Sequence, residues 1–121
     1  MKRAPTQEQQ APCIGATAQI GGEKFDDGKL RFDLVPADSL EDVVRVFTYG
    51  SEKYGDRNWE KGLLWGRLFA AVQRHLWCWW RGQDVDDESG LPHLAHAACS
   101  LLMLLDYKRS RAGSDDRPTS S

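Results

Sequence analysis

Cysteine is scarce in this chain: Cys13, Cys78 and Cys99 are its three thiols in 121 residues. An odd count with no CxxC pair excludes a disulfide framework, a zinc ribbon and a thioredoxin-type redox centre. Cys78 and Cys99 fall inside apolar, helix-like stretches and read as buried, reduced thiols. Long hydrophobic runs are missing as well, since none reaches the ~18 residues of a membrane-spanning helix. Lys2 and Arg3 are followed by no apolar segment, so the start does not read as a secretory signal. Nor does charge of one sign prevail. Lys and Arg number 16 and Asp and Glu 18, interspersed, for a formal net charge of −2. Such balance attracts neither nucleic acid nor an anionic membrane. The expectation is a cytoplasmic protein with a small-molecule ligand, no membrane association and no direct nucleic-acid binding.

The two ends lack apolar periodicity. Residues 1–22 are polar, small and Gly/Pro-bearing and read as a disordered or extended arm; residues 110–121 read as a disordered tail. That leaves residues 23–109, roughly 85 residues and a core of marginal size that gains from oligomerisation. Of five tryptophans, four lie between Trp65 and Trp80, more aromatic surface than a short helical hairpin hides. A homo-oligomer, dimer or tetramer, is expected.

Within the folding part, residues 23–36 alternate briefly around an Asp27-Gly28 turn signal and read as an extended arm rather than a strand. Leu40, Val43, Val44 and Phe47 fall at helical spacing behind a Ser39/Asp42 capping pair, predicting a first helix over 38–53. Residues 54–65 form a loop. A second helix is expected over 66–81, with Leu68, Phe69, Val72, Leu76 and Trp79 as its apolar stripe and Gly82 as its stop. Pro92 suits the first turn of a third helix over 92–109, with Leu94, Ala98, Leu101, Leu102 and Leu105 inward. The fold class is all-α: an antiparallel helical hairpin with one preceding helix.

All three histidines, His75, His93 and His96, fall in the hairpin. His93 and His96 share a helix face at i, i+3, and His75 borders the stripe of the second helix one turn from its end. Between them the turn carries Asp84, Asp86, Asp87 and Glu88. Folding back at that turn gathers imidazoles and carboxylates into a ligand set for a divalent metal, a common device for cleaving phosphate anhydrides. His75, His93, His96 and Asp84 are the candidate ligands, and Asp86 and Glu88 the candidate catalytic carboxylates. Acidic residues before a helix N-terminus also serve as caps, so some of the four carry no chemistry. Imidazole ligands suit Mn²⁺, Fe²⁺, Co²⁺ or Zn²⁺.

The loop KYGDRNW, residues 53–59, supplies Lys53 and Arg57 for phosphates and Asn58 and Trp59 for a base. Lys29 and Arg31 are further phosphate candidates. Arg67, Arg74 and Arg81 recur every seven residues along one side of the second helix, more often a solvated face or interhelical salt bridge than a phosphate track; Arg74 is a further substrate-binding candidate.

The strings KFDDGKLRFDLVP, FTYGSEKYGDRNWEKG, RHLWCWWRGQDVDDESGLPHLAHAA and LLMLLDY together resemble the phage-associated dATP/dGTP diphosphohydrolase (N-terminal type) family over about residues 23–108. That family is similar to the MazG-like all-α nucleotide pyrophosphohydrolases. The resemblance implies a MazG-like helical bundle completed by homo-oligomerisation, Mg²⁺ or Mn²⁺ on acidic helix faces, and release of pyrophosphate from a purine deoxynucleoside triphosphate. In MazG-like proteins the ligands come from a Glu-Glu-x-x-Glu helix and a Glu-x-x-Asp helix. Here the third Glu falls on His75, the Glu-x-x-Asp pair on His93 and His96, and the first two Glu positions become Ala71 and Val72. The leading expectation is therefore a metal-dependent hydrolase of dATP and dGTP. A non-catalytic nucleotide binder that sequesters or senses a nucleotide is the alternative, and a purely structural helical oligomer a third.

Overall fold

The computed structural model describes residues 19–119. Residues 1–18, and with them Cys13 and most of the expected N-terminal arm, lie outside the described part. The described residues divide into two units, residues 19–31 and 32–119. In the first, residues 19–31 are exposed and carry one turn, in which the Lys29 N–H donates to the Asp26 carbonyl at 3.0 Å.

The second unit is all-α. A short 3-10 turn at Phe32–Leu34 precedes α1 (Ala37–Tyr54), a second 3-10 turn spans Asn58–Lys61, and α2 (Trp65–Trp80) and α3 (His93–Ser110) follow. No strand forms among the described residues. The three helices begin and end within one residue of the spans that periodicity and stop signals predict. Gly55 ends α1 with φ 94°, a left-handed backbone open to glycine, while its N–H still bonds to the Ser51 carbonyl at 2.8 Å.

Packing centres on α3, which lies against both α2 and α1. One core cluster joins Val43 and Val46 of α1 to Ala95 and Cys99 of α3; another joins Trp65 and Leu68 of α2 to Tyr107. The buried face of α3 is thus His93, Ala95, Ala97, Cys99 and Tyr107. This corrects the inward face expected from spacing: Leu94, Leu101, Leu102 and Leu105 are exposed, Leu105 by 54%. The physical reason is that α3 is apolar almost all round, so periodicity cannot select a face. The small residues Ala95, Ala97 and Cys99 do so by letting two helices approach. On α2, Leu68 and Val72 are buried as expected, but Phe69 and Trp79 of the predicted stripe are exposed. On α1, Val43 is buried, yet Val46 replaces Leu40 and Val44 on the inner face.

Residues 111–117 fold back onto the start of α2, where composition suggests only a disordered tail. Trp65 N–H donates to Ser114 O at 2.9 Å, the Trp65 indole to Ala112 O at 3.0 Å, and Gly66 N–H to the Asp116 carboxylate at 2.7 Å. A carboxylate on an otherwise unpaired amide of a helix N-terminus is a stabilising cap. The approach is close enough that a Cβ on Gly113 would lie 2.1 Å from the Leu63 carbonyl.

Candidate functional site

Because α3 packs on both other helices, a cleft of about 930 Å³ opens between α1 and α2, with α3 as its floor. Tyr49 and Lys53 of α1, Arg67, Ala71, Arg74 and His75 of α2, and His96 and Cys99 of α3 line it. Asp86 and Glu88 reach it from the turn joining α2 to α3, and Arg57, Asn58 and Trp59 from the loop after α1.

The turn is rigid. Asp86 N–H donates to Leu91 O at 2.8 Å, Gly90 N–H to Asp86 O at 2.8 Å, and His93 N–H to Asp84 O at 2.9 Å. Folding back there brings the three imidazoles together: ring centres of His75 and His93 are 5.1 Å apart, and His75 stacks on His96 at 4.5 Å. His75 Nδ1 lies 2.8 Å from His93 Nδ1. Two neutral imidazoles at that distance either share one proton or turn both lone pairs toward a common cation. Two metal–nitrogen bonds of about 2.1 Å separate their nitrogens by about 3 Å at an octahedral ion and by about 3.4 Å at a tetrahedral one.

His75, Asp86 and His93 each offer a ligand atom within 4.8 Å of the other two, a group able to hold a metal ion. The donor set fits a cation. His93 is 3% exposed, and its Nε2 is buried without a hydrogen-bond partner, an arrangement unusual for a histidine with only a packing role. Burial, then the neighbouring His96 and His93, push His75 down to about 4. His96 is also lowered, burial again the main cause. Both are therefore neutral at pH 7, the form that binds metals. Burial alone would raise Asp86, but bonds from the Ser89 N–H and hydroxyl, with His96 and His75 nearby, leave its carboxyl below the usual range.

The remaining expected ligands stand elsewhere. His96 Nε2 is 3.8 Å from Asp86 Oδ2 and 2.7 Å from Ser89 Oγ, beside the group of three rather than in it. Asp84 is exposed and contributes only its backbone carbonyl to the start of α3, so its side chain is not part of that group. Glu88 accepts from Lys53 Nζ at 2.5 Å and from the Tyr49 hydroxyl at 3.0 Å. The Lys53 bond is the main reason its carboxyl is lowered, and the same bond raises Lys53. Arg57 pairs with Glu60 at 3.0 Å. Trp59 packs between Phe47 and Tyr107, whose hydroxyl donates to the Trp59 carbonyl. Lys29 and Arg31 belong to the first unit.

Sequence reasoning missed Tyr49, Arg67 and Ser89. Arg67 was part of a seven-residue repeat that reads as a solvated face, whereas Arg67 and Arg74 in fact line the cleft. Ser89 looked like a turn residue, and nothing in its spacing marks it as a neighbour of His96.

A Salmonella phage PMBT28 protein named dATP/dGTP diphosphohydrolase is 44% identical over 96 residues, which is 79% of this chain and 33% of the relative. The chain thus spans about a third of the relative's length. No solved structure matches. The family model described as dATP/dGTP diphosphohydrolase, N-terminal, matches residues 19–117, which include all three helices and the whole cleft. The chain belongs to the dATP/dGTP diphosphohydrolase N-terminal domain family.

Proposed function

We propose that the cleft binds purine deoxynucleoside triphosphates, dATP and dGTP, and splits them to monophosphate and pyrophosphate with the help of a divalent cation. The observation that carries this is the approach of His75, His93 and Asp86 to one another, with His75 and Asp86 lining a cleft that also holds arginine and lysine. These three would hold the cation, and an imidazole-rich set favours Mn²⁺, Fe²⁺, Co²⁺ or Zn²⁺ over Mg²⁺. Bound there, such an ion supplies positive charge to the phosphates and lowers the pKa of a water. Lys53, Arg57 and Arg74 draw the triphosphate into the cleft, and Glu88 holds the Lys53 ammonium in place until phosphate competes for it. Asn58 and Trp59 face the base, with Phe47 bracing the indole. The name of the phage relative supports this substrate class.

A non-catalytic nucleotide binder is the second reading, favoured by a specific observation. Ala71 lines the cleft and Val72 is buried beside it, so Asp86 is the single carboxylate in the ion-binding group. Incubation with Mn²⁺ and either dATP or dGTP separates the two readings. Hydrolysis gives pyrophosphate and monophosphate in equal amounts; binding alone returns the triphosphate intact after heat release. Orthophosphate as the first product would overturn the proposed bond cleavage.

We further propose that a second copy of the chain covers the outward faces of the α2–α3 pair. Phe69, Trp77 and Trp80 on α2 and Leu94, Leu101 and Leu105 on α3 are all exposed, Trp80 by 73%. That is more apolar surface than a monomer leaves to water. Light scattering should return a multiple of the 13.7 kDa chain mass, and Trp80→Glu with Leu101→Glu should return the monomer. A monomeric parent protein would refute this.

A further inference from the structure

The hydrogen bonds around Ser89 decide which nitrogen of His96 carries its proton. Ser89 Oγ is 2.9 Å from Asp86 Oδ2, 2.7 Å from His96 Nε2 and 3.1 Å from the Leu91 backbone nitrogen. A hydroxyl has one proton to give and two lone pairs to receive with. The Leu91 N–H only donates, so it occupies one lone pair. The Asp86 carboxylate only accepts, so the hydroxyl proton goes to Oδ2. One lone pair is left for His96, and Nε2 must bring the proton to it.

The Ser89 N–H also donates to Asp86 Oδ2 at 2.9 Å, fixing the carboxylate from a second direction. The backbone bonds between Asp86 and both Gly90 and Leu91 hold the loop in this register. Every proton in the Leu91–Ser89–Asp86–His96 set is then assigned without a conflict. The opposite His96 tautomer would set two acceptors, Nε2 and Oδ2, against a single hydroxyl proton.

We propose that Ser89 is a positioning residue that holds His96 as its Nε2–H tautomer, leaving Nδ1 as the one nitrogen of that ring able to accept a proton or a cation in the cleft. The tautomer stands independently of any activity; its consequence for turnover rests on the hydrolytic reading above. A ring nitrogen whose partner is fixed by an outer hydrogen bond is the common arrangement of functional histidines, and loss of such a bond typically lowers activity about 10- to 100-fold.

The test is long-range ¹H–¹⁵N correlation of the histidine rings in the full chain at pH 7, without metal or nucleotide. His96 should show a protonated Nε2 and an unprotonated Nδ1. Ser89→Thr should keep that pattern, and Ser89→Ala should give averaged nitrogens. In the Mn²⁺ assay Ser89→Ala should lose about 10- to 100-fold in kcat with little change in KM, and Ser89→Thr should recover most of it. A wild-type ring protonated at Nδ1, or an alanine variant that keeps the Nε2–H pattern, overturns the proposal. Should alanine loosen the loop, the wild-type and threonine spectra still decide. A protein that shows the expected tautomer yet turns over no nucleotide supports the positioning role of Ser89 and refutes the hydrolytic reading.

Discussion

His75→Ala should weaken divalent-cation binding at least tenfold and reduce pyrophosphate release by at least about 100-fold, the scale on which loss of one electrostatic stabiliser is felt. His75 is the informative ligand to remove. Its ring is only partly buried, more than a turn before the end of α2, and it packs on His93 and His96 rather than in either core cluster. His93 is nearly inaccessible, and alanine there adds a cavity to the loss of a ligand. Asp86→Asn is the second probe: it keeps the shape of the carboxylate and removes its charge. Titration calorimetry with Mn²⁺ and Zn²⁺, run beside thermal unfolding, separates a lost ligand from a lost fold. The expected outcome for both variants is a folded protein with cation affinity reduced at least tenfold. Unchanged affinity in a folded His75→Ala protein would mean that the short Nδ1–Nδ1 approach is a hydrogen bond and nothing more.

How much of this was legible in the sequence depends on the physics each feature rests on. Helix ends were legible, because Gly55, Gly82 and Pro92 act locally through backbone geometry. The gathering of His75 with His93 and His96 was legible too, since a short turn between two helices allows few arrangements. The facing of α3 was not. Leu94, Leu101 and Leu105 repeat at helical spacing, yet the helix buries the opposite side, and only the partner helices decide which apolar face is covered. The docking of residues 111–117 was hidden for another reason: it uses backbone groups, one carboxylate and the indole of Trp65, none of which produces an apolar period. Ser89 was hidden because its role depends on three partners at different chain separations. The candidate carboxylates show the same limit in miniature. Asp84, Asp86 and Glu88 are equivalent as a string, but the turn points Asp86 toward the histidines, gives Glu88 to Lys53 and leaves the Asp84 side chain exposed.

Acidification from pH 7 to pH 5 should lower the thermal midpoint of the cation-free protein by about 5 °C. The ring of His75 is held at about 4 against an ordinary value of 6.5, chiefly by burial. Between those values the unfolded chain binds more protons than the folded one, so stability rises with pH across the window and is lost as pH falls from 6.5 toward 4. His96 is shifted in the same direction and adds to the loss. For His75 alone, discounted for water's screening of a partly buried ring, the difference between pH 7 and pH 5 is roughly 1 kcal/mol, and each kcal/mol moves the midpoint of a domain this size by about 4–8 °C. His75→Gln should flatten much of this dependence. A bound cation should behave differently from one at an ordinary histidine site. Because the folded-state ring stays neutral down to about 4, protons compete little with metal at pH 5. Saturating Mn²⁺ or Zn²⁺ at about 100 times its Kd contributes about 2.7 kcal/mol, and that increment should be nearly the same at pH 5 as at pH 7. Equal midpoints at the two pH values without metal would show that His75 titrates as an exposed ring. An increment from the cation that vanishes by pH 5 would show the same from the binding side. Either result would place the His75 ring in water rather than against its neighbours.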